Sequence, residues 1–244
     1  MPKKNEILRL EITDITPEGA GVGRCDGYVL FVFGTAPGDV VDALVMKAGK
    51  SYGYAKAVNI VTPSPYRGES DCAVFGRCGG CVFRHMKYEK ELEIKKKTVD
   101  ENLKRLGGLE VECEKIIPSP QVNGYRNKAQ YPAAVINGKM RFGFYSRHSH
   151  RVAPCESCPL QPDFYSDIVR AVGLFCDENK ITAYDEETGR GLLRHLYIRD
   201  GRQSGEILVC LVATGEIPNV DGLIKTLTEL NKNIKSIVLN VNRK

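Results

Sequence analysis

Three cysteines within ten residues constrain this chain more than any other feature of its sequence. They are Cys72, Cys78 and Cys81, and only Gly79 and Gly80 separate the last two. Because glycine has no Cβ atom, this pair lets the backbone fold closely around a group bound between the sulfur atoms. A packed core requires no such pattern, whereas soft thiolate ligands select zinc or an iron–sulfur cluster. The stretch therefore predicts an inorganic centre.

Two sets of four cysteines can be drawn around this stretch. One set joins Cys72, Cys78 and Cys81 to a remote fourth ligand, Cys158, which is followed by proline as in some ferredoxin sequences. The other set pairs the Cys-x-x-Cys sequences of Cys78/Cys81 and Cys155/Cys158, a zinc spacing that leaves Cys72 unused. The residues alone leave both sets open. They also leave open whether Cys155 or Cys158 is the fourth ligand beside Cys72, Cys78 and Cys81.

The remaining features are those of a protein from a reducing compartment. The N-terminus lacks the apolar core of a signal peptide, and no apolar run reaches membrane-spanning length. An odd number of cysteines, nine, does not suggest a secreted disulfide scaffold. We therefore predict a cytoplasmic protein with no membrane partner. Four cysteines are interpreted as small buried hydrophobic residues: Cys25, Cys113, Cys176 and Cys210.

Positive charge is concentrated in the middle of the chain. The net charge is +5, and residues 113–152 alone hold seven Lys and Arg against one acidic residue. Basic residues mixed with aromatic ones suit nucleic acid, through phosphate pairing and base stacking. A solvated β-meander with a basic outer face explains the same counts, so both interpretations stay open. The interleaved aromatic residues are Tyr125, Tyr131, Phe142, Phe144 and Tyr145.

The first 62 residues predict a small OB-like β-barrel. Its β-rich runs cover residues 7–15, 28–33, 39–46 and 52–61, separated by Gly, Pro and Asp turns. Gly19, Gly21 and Gly23 resemble a dinucleotide fingerprint, but a strand follows them where a phosphate-binding loop needs a helix. We interpret this stretch as a flexible turn. Barrels of this class commonly bind single-stranded nucleic acid, although seven basic and seven acidic residues make this one neutral.

After Pro63-Ser64-Pro65 the patterns predict an α+β region with an antiparallel sheet. Helical periodicity places Leu92, Val99, Leu103 and Leu106 on one face of the first helix. Asn137-Gly138 is a hairpin signal within a strand-like stretch over residues 113–153. The predicted elements are helices over 87–106, 162–179 and 220–230, hairpins joining 131–136 to 140–145 and 192–199 to 206–213, and a strand over 236–241.

The order of these parts resembles a known family. The motifs that carry the resemblance are Glu18-Gly19-Ala20-Gly21-Val22-Gly23, Cys72-x5-Cys78-Gly79-Gly80-Cys81, Tyr125-Arg126-Asn127-Lys128-Ala129, Gly143-Phe144-Tyr145 with Ser149-His150-Arg151-Val152, and Cys158-Pro159-Leu160. Together they are similar to the iron–sulfur-containing bacterial RNA uracil-5-methyltransferases, chiefly those acting on 23S rRNA. The resemblance implies a TRAM barrel over residues 1–62, then an iron–sulfur region and α+β central domain over residues 63–244. It also implies a [4Fe–4S] cluster on Cys72, Cys78, Cys81 and Cys158.

The resemblance further implies an enzyme that uses S-adenosylmethionine to make 5-methyluridine. In that family a C-terminal domain binds the cofactor and supplies a cysteine nucleophile, because carbon 5 of uracil reacts poorly until a thiolate adds to its neighbour. We find neither a cofactor-binding glycine turn nor that cysteine in the sequence. We therefore expect this chain to be the N-terminal portion of such an enzyme. Without the catalytic domain, it should be inactive on its own.

The expected partner is a single-stranded or loop region of 23S rRNA, bound by a monomer. Phosphates or base edges would be contacted by Arg126, Lys128, Arg147 and Arg151, and bases would stack on Tyr125 or Phe144. An alternative from another class is a stand-alone, zinc-stabilised RNA-binding module without catalysis. A radical enzyme carrying a TRAM domain fits less well, since such enzymes use a three-cysteine site with different spacing.

Overall fold

The computed structural model describes residues 1–243 and divides into two compact units. The first unit comprises residues 1–70 and 81–118, and the second comprises residues 71–80 and the chain from Ser119 onward. Residues 63–70 and 81–118, predicted as part of the second domain, therefore group with the barrel. No helix in the described part of the chain is both long and apolar enough to cross a membrane.

Five strands close into the predicted barrel, in the order β1-β2-β3-β5-β4. Neighbouring strands are antiparallel except for β3 and β5, which are parallel. Inward-facing residues alternate along each strand and form a buried apolar core that includes Ile12, Leu30, Val32 and Val41. The strands are β1 (Ile7–Ile15), β2 (Ala20–Cys25), β3 (Tyr28–Phe33), β4 (Val40–Ala48) and β5 (Tyr52–Thr62).

The flexible turn predicted at Gly19, Gly21 and Gly23 was wrong, because the last two belong to strand β2. These glycines are needed for close packing. A Cβ atom on Gly21 would overlap the Thr35 hydroxyl and lie 2.7 Å from Cγ2 of Ile12. Glycine at these positions lets β2 pass close to its neighbours. Strand propensity alone does not predict this role, because glycine is a poor strand former.

Helix α1 (Tyr88–Arg105) confirms the first predicted helix, but its predicted apolar face is not buried. Ile94 is the one residue that this helix buries within the described structure, packing with Ile15 and Ala36. Val99 is 47% exposed and Leu106, just beyond the helix, is 84% exposed. An exposed ion pair also joins the helix to β1, with Lys97 Nζ 2.7 Å from Asp14.

The second unit is a six-stranded sheet with two helices. The strand order is β11-β10-β9-β6-β7-β8. The sheet is mixed rather than purely antiparallel as predicted, because β11 pairs parallel with β10 after a crossover through α3. The elements are β6 (Lys128–Ile136), β7 (Lys139–Tyr145), β8 (Val152–Pro154), α2 (Phe164–Glu178), β9 (Leu193–Asp200), β10 (Ile207–Ala213), α3 (Val220–Leu230) and β11 (Ile234–Val241).

Both helices contribute to one apolar core with the sheet. Ile168 and Val172 of α2 and Leu227 of α3 are fully buried in it, together with Leu196 of β9 and Val209 of β10. Because side chains alternate along a strand, the other residues of β9 and β10 point to the opposite face. The strand-like stretch predicted from residue 113 begins only at Lys128, since residues 106–127 form no helix or strand.

Candidate thiol site and nucleic-acid interface

Three of the four predicted cluster ligands lie in the second unit, and their thiols are close enough to affect one another. Burial raises the pKa of the Cys78 thiol, and the neighbouring thiols of Cys158 and Cys72 raise that pKa further. The nearby guanidinium of Arg126 opposes this shift by favouring the thiolate form of Cys78. Cys78 is therefore flanked by two thiols and by a cation that would stabilise a deprotonated sulfur.

The loop carrying Cys72 and Cys78 is tightly folded and docked on strand β7. The N–H of Cys78 donates to the carbonyl of Val74 at 2.9 Å, and Gly79 N–H donates to the carbonyl of Tyr145 at 2.9 Å. A Cβ atom on Gly79 would lie 3.1 Å from both that carbonyl oxygen and the amide nitrogen of Arg147. The glycine is thus required for this close approach.

The loop also directs a backbone donor at sulfur. Gly80 N–H donates to Sγ of Cys78 at 3.3 Å. Such N–H groups stabilise thiolates that ligate metals or iron–sulfur clusters, so the donor chemistry fits a thiolate-bound centre.

Cys155, outside the predicted ligand set, also belongs to this group of thiols. It is 2% exposed, and its thiol donates to the carbonyl of Ser157 at 3.3 Å. Its hydrogen bond with Cys158 is the main cause that raises the pKa of Cys155, followed by burial. The second unit therefore brings together Cys72, Cys78, Cys155 and Cys158.

The described residues contain no group of three or more His, Cys, Asp or Glu side chains arranged to hold a metal ion. The four thiols are neighbours without forming a ready ligand set. Cys81, the remaining predicted ligand, falls in the first unit. The predicted [4Fe–4S] cluster is thus supported by donor chemistry and stays a prediction.

Hydrogen bonds connect the predicted RNA-binding segment to the Cys158 turn. Gly124 N–H donates to the carbonyl of Pro159, and Arg126 N–H donates to the carbonyl of Leu160, both at 2.8 Å. Arg202 reinforces the segment by donating to the carbonyl of Gly124 at 2.5 Å. The backbone position of Arg126 is therefore tied to the residues that follow Cys158.

Arg147 and Arg151 lie on the turn that joins β7 to β8. Ser146 N–H donates to the carbonyl of Arg151 at 2.8 Å, which closes the turn. Both arginines are exposed. Because Gly79 docks on Tyr145 at the start of this turn, the cysteine loop abuts a second predicted RNA-contacting segment.

The other predicted RNA contacts differ in accessibility. Tyr125 is 45% exposed, and Lys128 is exposed at the start of β6. Phe144 is only half-buried, but its ring packs on the core, with its centroid 5.0 Å from that of Tyr131. The Tyr131 hydroxyl in turn donates to the side-chain carbonyl of buried Gln161.

The barrel carries an exposed group of aromatic rings that the sequence interpretation missed. We call Phe31, Phe33, Tyr52 and Tyr54 the aromatic patch. Tyr54 is stacked on Phe33 with an interplanar angle of 7° and a centroid distance of 6.3 Å. Phe31 lies 5.7 Å from both tyrosine rings. Tyr52 is 49% exposed and Tyr54 is 36% exposed, so ring surface faces solvent.

Lysines surround the aromatic patch. Lys47 pairs with Tyr54 across β4 and β5, and Lys56 pairs with Phe33 across β5 and β3. Lys47 and Lys50 border a shallow 280 Å³ cavity lined by both tyrosines. Three of the barrel's seven acidic residues, Asp14, Asp39 and Asp42, form ion pairs with other cations, and within residues 1–243 no ion pair involves these three lysines. The neutral barrel thus has a locally basic face.

Comparison with known proteins gives a consistent result. The TRAM domain model matches residues 3–58. An uncharacterized RNA methyltransferase of Halalkalibacterium halodurans is 39% identical over 99% of this chain and 53% of its own length. Another from Listeria monocytogenes is 37% identical over 98% of this chain and 53% of its own length. The chain therefore spans about half the length of these curated relatives.

A solved structure agrees with these relatives. The Pyrococcus abyssi tRNA (uracil-54, C5)-methyltransferase, in complex with S-adenosyl-L-homocysteine, superposes with a TM-score of 0.70. It is 25% identical and covers 97% of this chain and 52% of its own. The barrel thus matches the TRAM domain model, and almost the entire chain is similar to about half of proteins described as RNA methyltransferases.

Proposed function

We propose that these residues bind RNA for an S-adenosylmethionine-dependent uracil-5-methyltransferase. The observation that carries the proposal is the aromatic patch with its surrounding lysines on the TRAM barrel. Exposed rings stack on unpaired bases without regard to sequence, and lysines neutralise the connecting phosphates. A duplex hides its bases, so the patch suits single-stranded or loop RNA. Relatedness to RNA methyltransferases over 98–99% of the chain favours this proposal over a zinc module without catalytic ancestry.

The finer parts of the function are also proposals. We propose 23S rRNA as the substrate from the family resemblance, although the structural neighbour acts on tRNA. Methyl transfer would use S-adenosylmethionine and a nucleophilic cysteine, and the residues described here would contribute RNA recognition to that reaction. Binding to an rRNA loop fragment and to a tRNA, measured side by side, discriminates between the two substrates.

Replacing Tyr52 and Tyr54 with alanine should weaken binding of single-stranded RNA by the full chain. Each lost base–ring stack costs about 1–3 kcal/mol, so the double variant should bind at least tenfold more weakly. Fluorescence anisotropy of a labelled oligonucleotide measures the affinity. An oligonucleotide containing 2-aminopurine reports stacking directly, because its fluorescence falls when the base stacks.

Two controls make this test specific. Tyr52→Phe with Tyr54→Phe keeps both rings and should retain most of the affinity. Val58→Ala with Ile60→Ala removes exposed apolar surface elsewhere on the same strand, and these residues are 49% and 38% exposed. The proposal is wrong if the wild-type chain does not bind RNA, or if the alanine pair binds as tightly as the wild type.

We further propose that Cys72, Cys78, Cys81 and Cys158 hold a [4Fe–4S] cluster with a structural role. Once bound, such a cluster would cross-link the cysteine loop to the Cys158 turn. The hydrogen bonds from Gly124 and Arg126 to that turn, and from Gly79 to β7, would then fix two basic segments. Cys155 is the competing ligand, because it hydrogen-bonds to Cys158.

Protein purified without oxygen should be brown and contain iron and sulfide. Cys158→Ser should lose most of the iron, whereas Cys210→Ser, on strand β10, should keep it. Cys155→Ser distinguishes the two ligand sets, since the proposed set predicts full iron content in this variant. Colourless protein with stoichiometric zinc, or a Cys158→Ser variant with undiminished iron, contradicts the proposal.

A further inference from the structure

The open face of the sheet in the second unit carries a compact set of polar and basic residues. Ala129 and Tyr131 of β6, and Leu196 and Ile198 of β9, face the helices and are buried. Side chains alternate along a strand, so the residues between them face the other way. The opposite face includes two adjacent cross-strand rows, Lys128–Arg199–Leu208–Ser236 and Gln130–Tyr197–Cys210–Val238, and a third row, Pro132–His195–Val212–Asn240, follows them.

We propose that four of these residues, Lys128, Gln130, Tyr197 and Arg199, form a second binding platform for single-stranded RNA. We call them the sheet platform. The inference rests on the proposed RNA-binding function and assigns to it a surface distinct from the aromatic patch. Lys128, Gln130 and Arg199 are exposed and Tyr197 is half-buried, which leaves charges and part of a ring in solvent.

Two positive charges face each other across the first row. Lys128 and Arg199 are direct cross-strand partners. Two like charges at such positions repel and destabilise the strand pair. Neither row contains an acidic residue that could offset this repulsion. A phosphate bound between the two cations removes the repulsion and gains two charge-assisted hydrogen bonds.

An aromatic ring lies next to this pair of cations. Tyr197 precedes Arg199 by two residues on the same face, about 6.6 Å along the strand. Its partner Gln130 offers an amide that can donate to and accept from a base edge. One nucleotide can therefore place its phosphate on the first row and its base on the second. Sheets that bind RNA in this way stack bases on aromatic residues of the open face.

The platform continues into the basic segment already described. Exposed Tyr125 and Arg126 lie just before β6, separated from Lys128 at the end of the first row by Asn127 alone. Two carboxylates lie near the ends of these rows. Exposed Glu206 comes two residues before Leu208 of the first row, and Glu186, at the opposite end of β9, is held by Arg194 at 2.9 Å. Lys128, Arg199 and Arg126 outnumber Glu206 here, so the platform and the adjoining segment carry a net positive charge that complements the RNA backbone.

The test compares two double variants of the full chain. Lys128→Ala with Arg199→Ala removes the platform cations. Lys225→Ala with Arg170→Ala removes the same charge from the helices on the other side of the sheet, where Arg170 is 62% exposed. The platform variant should lose about 1.4 from the slope of log affinity against log salt, since each single-strand phosphate contact contributes about 0.7. The helix variant should keep the wild-type slope.

Tyr197 supplies an independent readout. Tyr197→Ala should weaken binding about tenfold at constant salt, whereas Tyr197→Phe should bind like the wild type. Lys128 acetylation in the wild-type chain, followed by mass spectrometry with and without RNA, should show protection by RNA, and this measurement needs no variant to fold.

The outcomes separate this inference from the proposed function. If wild-type chain binds RNA, but the platform and helix variants have equal slopes or Lys128 is not protected, the sheet platform is wrong and the aromatic patch is unaffected. If wild-type chain binds no RNA, both proposals fall.

Discussion

Gly143→Ala should destabilise the second unit by about 3 kcal/mol, the upper range for overpacking a buried site. A Cβ atom at this position would overlap the carbonyl oxygen of Ala153 and lie 2.9 Å from Cα of Pro154. Both neighbours are backbone atoms of β8, which pairs with β7 at Gly143. A flexible side chain could move aside, but β8 can relieve this clash only by leaving β7. Cys155 follows β8 directly, so the thiol site should be disturbed too.

Gly173→Ala is the matched control for this variant. Gly173 lies within α2, and a Cβ atom there would be 3.7 Å from the carbonyl oxygen of Met140, an ordinary contact. Alanine is favoured over glycine inside a helix by up to about 1 kcal/mol, so this variant should be as stable as the wild type or more so. Urea denaturation measures the stabilities, and hydrogen exchange shows whether β7 and β8 are the affected strands. Equal stabilities of the two variants would falsify the close-packing argument.

Asp39→Ala should destabilise the first unit by about 3–5 kcal/mol, the usual cost of removing one partner of a buried ion pair. The Asp39 side chain is fully buried and accepts from Arg67 through both oxygens, at 2.6 and 2.8 Å. It also accepts from the backbone N–H groups of Ala36 and Ser64. Alanine leaves a largely buried guanidinium and two backbone donors without their acceptor.

Asp42→Ala serves as the control, because it also removes one carboxylate from an arginine pair in the barrel. Arg9 and Asp42 are 65% and 22% exposed, so water replaces the lost partner and the effect should be much smaller. Comparable losses of stability in the two variants, measured by thermal denaturation, would show that burial does not determine the cost.

The same aspartate makes the first unit sensitive to acid. Burial acts to raise the pKa of Asp39, but hydrogen bonds from Arg67, Ala36 and Ser64 outweigh it and hold the pKa below its ordinary value. A carboxylate with a lowered pKa stabilises the fold above its unfolded pKa of about 3.9, and this contribution disappears as the pH falls through the folded pKa. In Asp39→Ala, the stability lost on acidification should be correspondingly smaller.

Periodicity identified most elements of this fold, because the strands and helices have local signals. The Asn137-Gly138 hairpin and the pairing of residues 192–199 with 206–213 were predicted and are confirmed. The parallel pairing of β11 with β10 was not, because it depends on the crossover through α3 rather than on a local turn. The apolar periodicity of α1 was real, but only Ile94 is buried within the described residues. Apolar periodicity therefore predicts that a helix forms, but it does not identify which side chains of the helix other elements will bury.

The candidate site was likewise predictable where its residues are close in sequence and unpredictable where distant strands bring them together. The Cys72–Cys81 spacing and the Cys158 motif identified thiols that the second unit brings together in part. The alternation of Phe31 with Phe33 and of Tyr52 with Tyr54 could have indicated two exposed aromatic edges. The two pairs of rings form one patch only because β3 pairs in parallel with β5, and β4 separates these strands in the sequence. No alternation rule could have placed Lys128 opposite Arg199.

The division of the chain into interrupted segments determines the order in which the parts can form during synthesis. Residues 71–80 emerge from the ribosome early, yet Tyr145, the acceptor for Gly79, is made many residues later. The segment with α1, which completes the first unit, emerges in between. The cysteine loop therefore stays undocked while the first unit, whose two segments lie on either side of the loop in the sequence, is completed. Cys72 and Cys78 are therefore least shielded from solvent during this interval, before Gly79 can dock on β7.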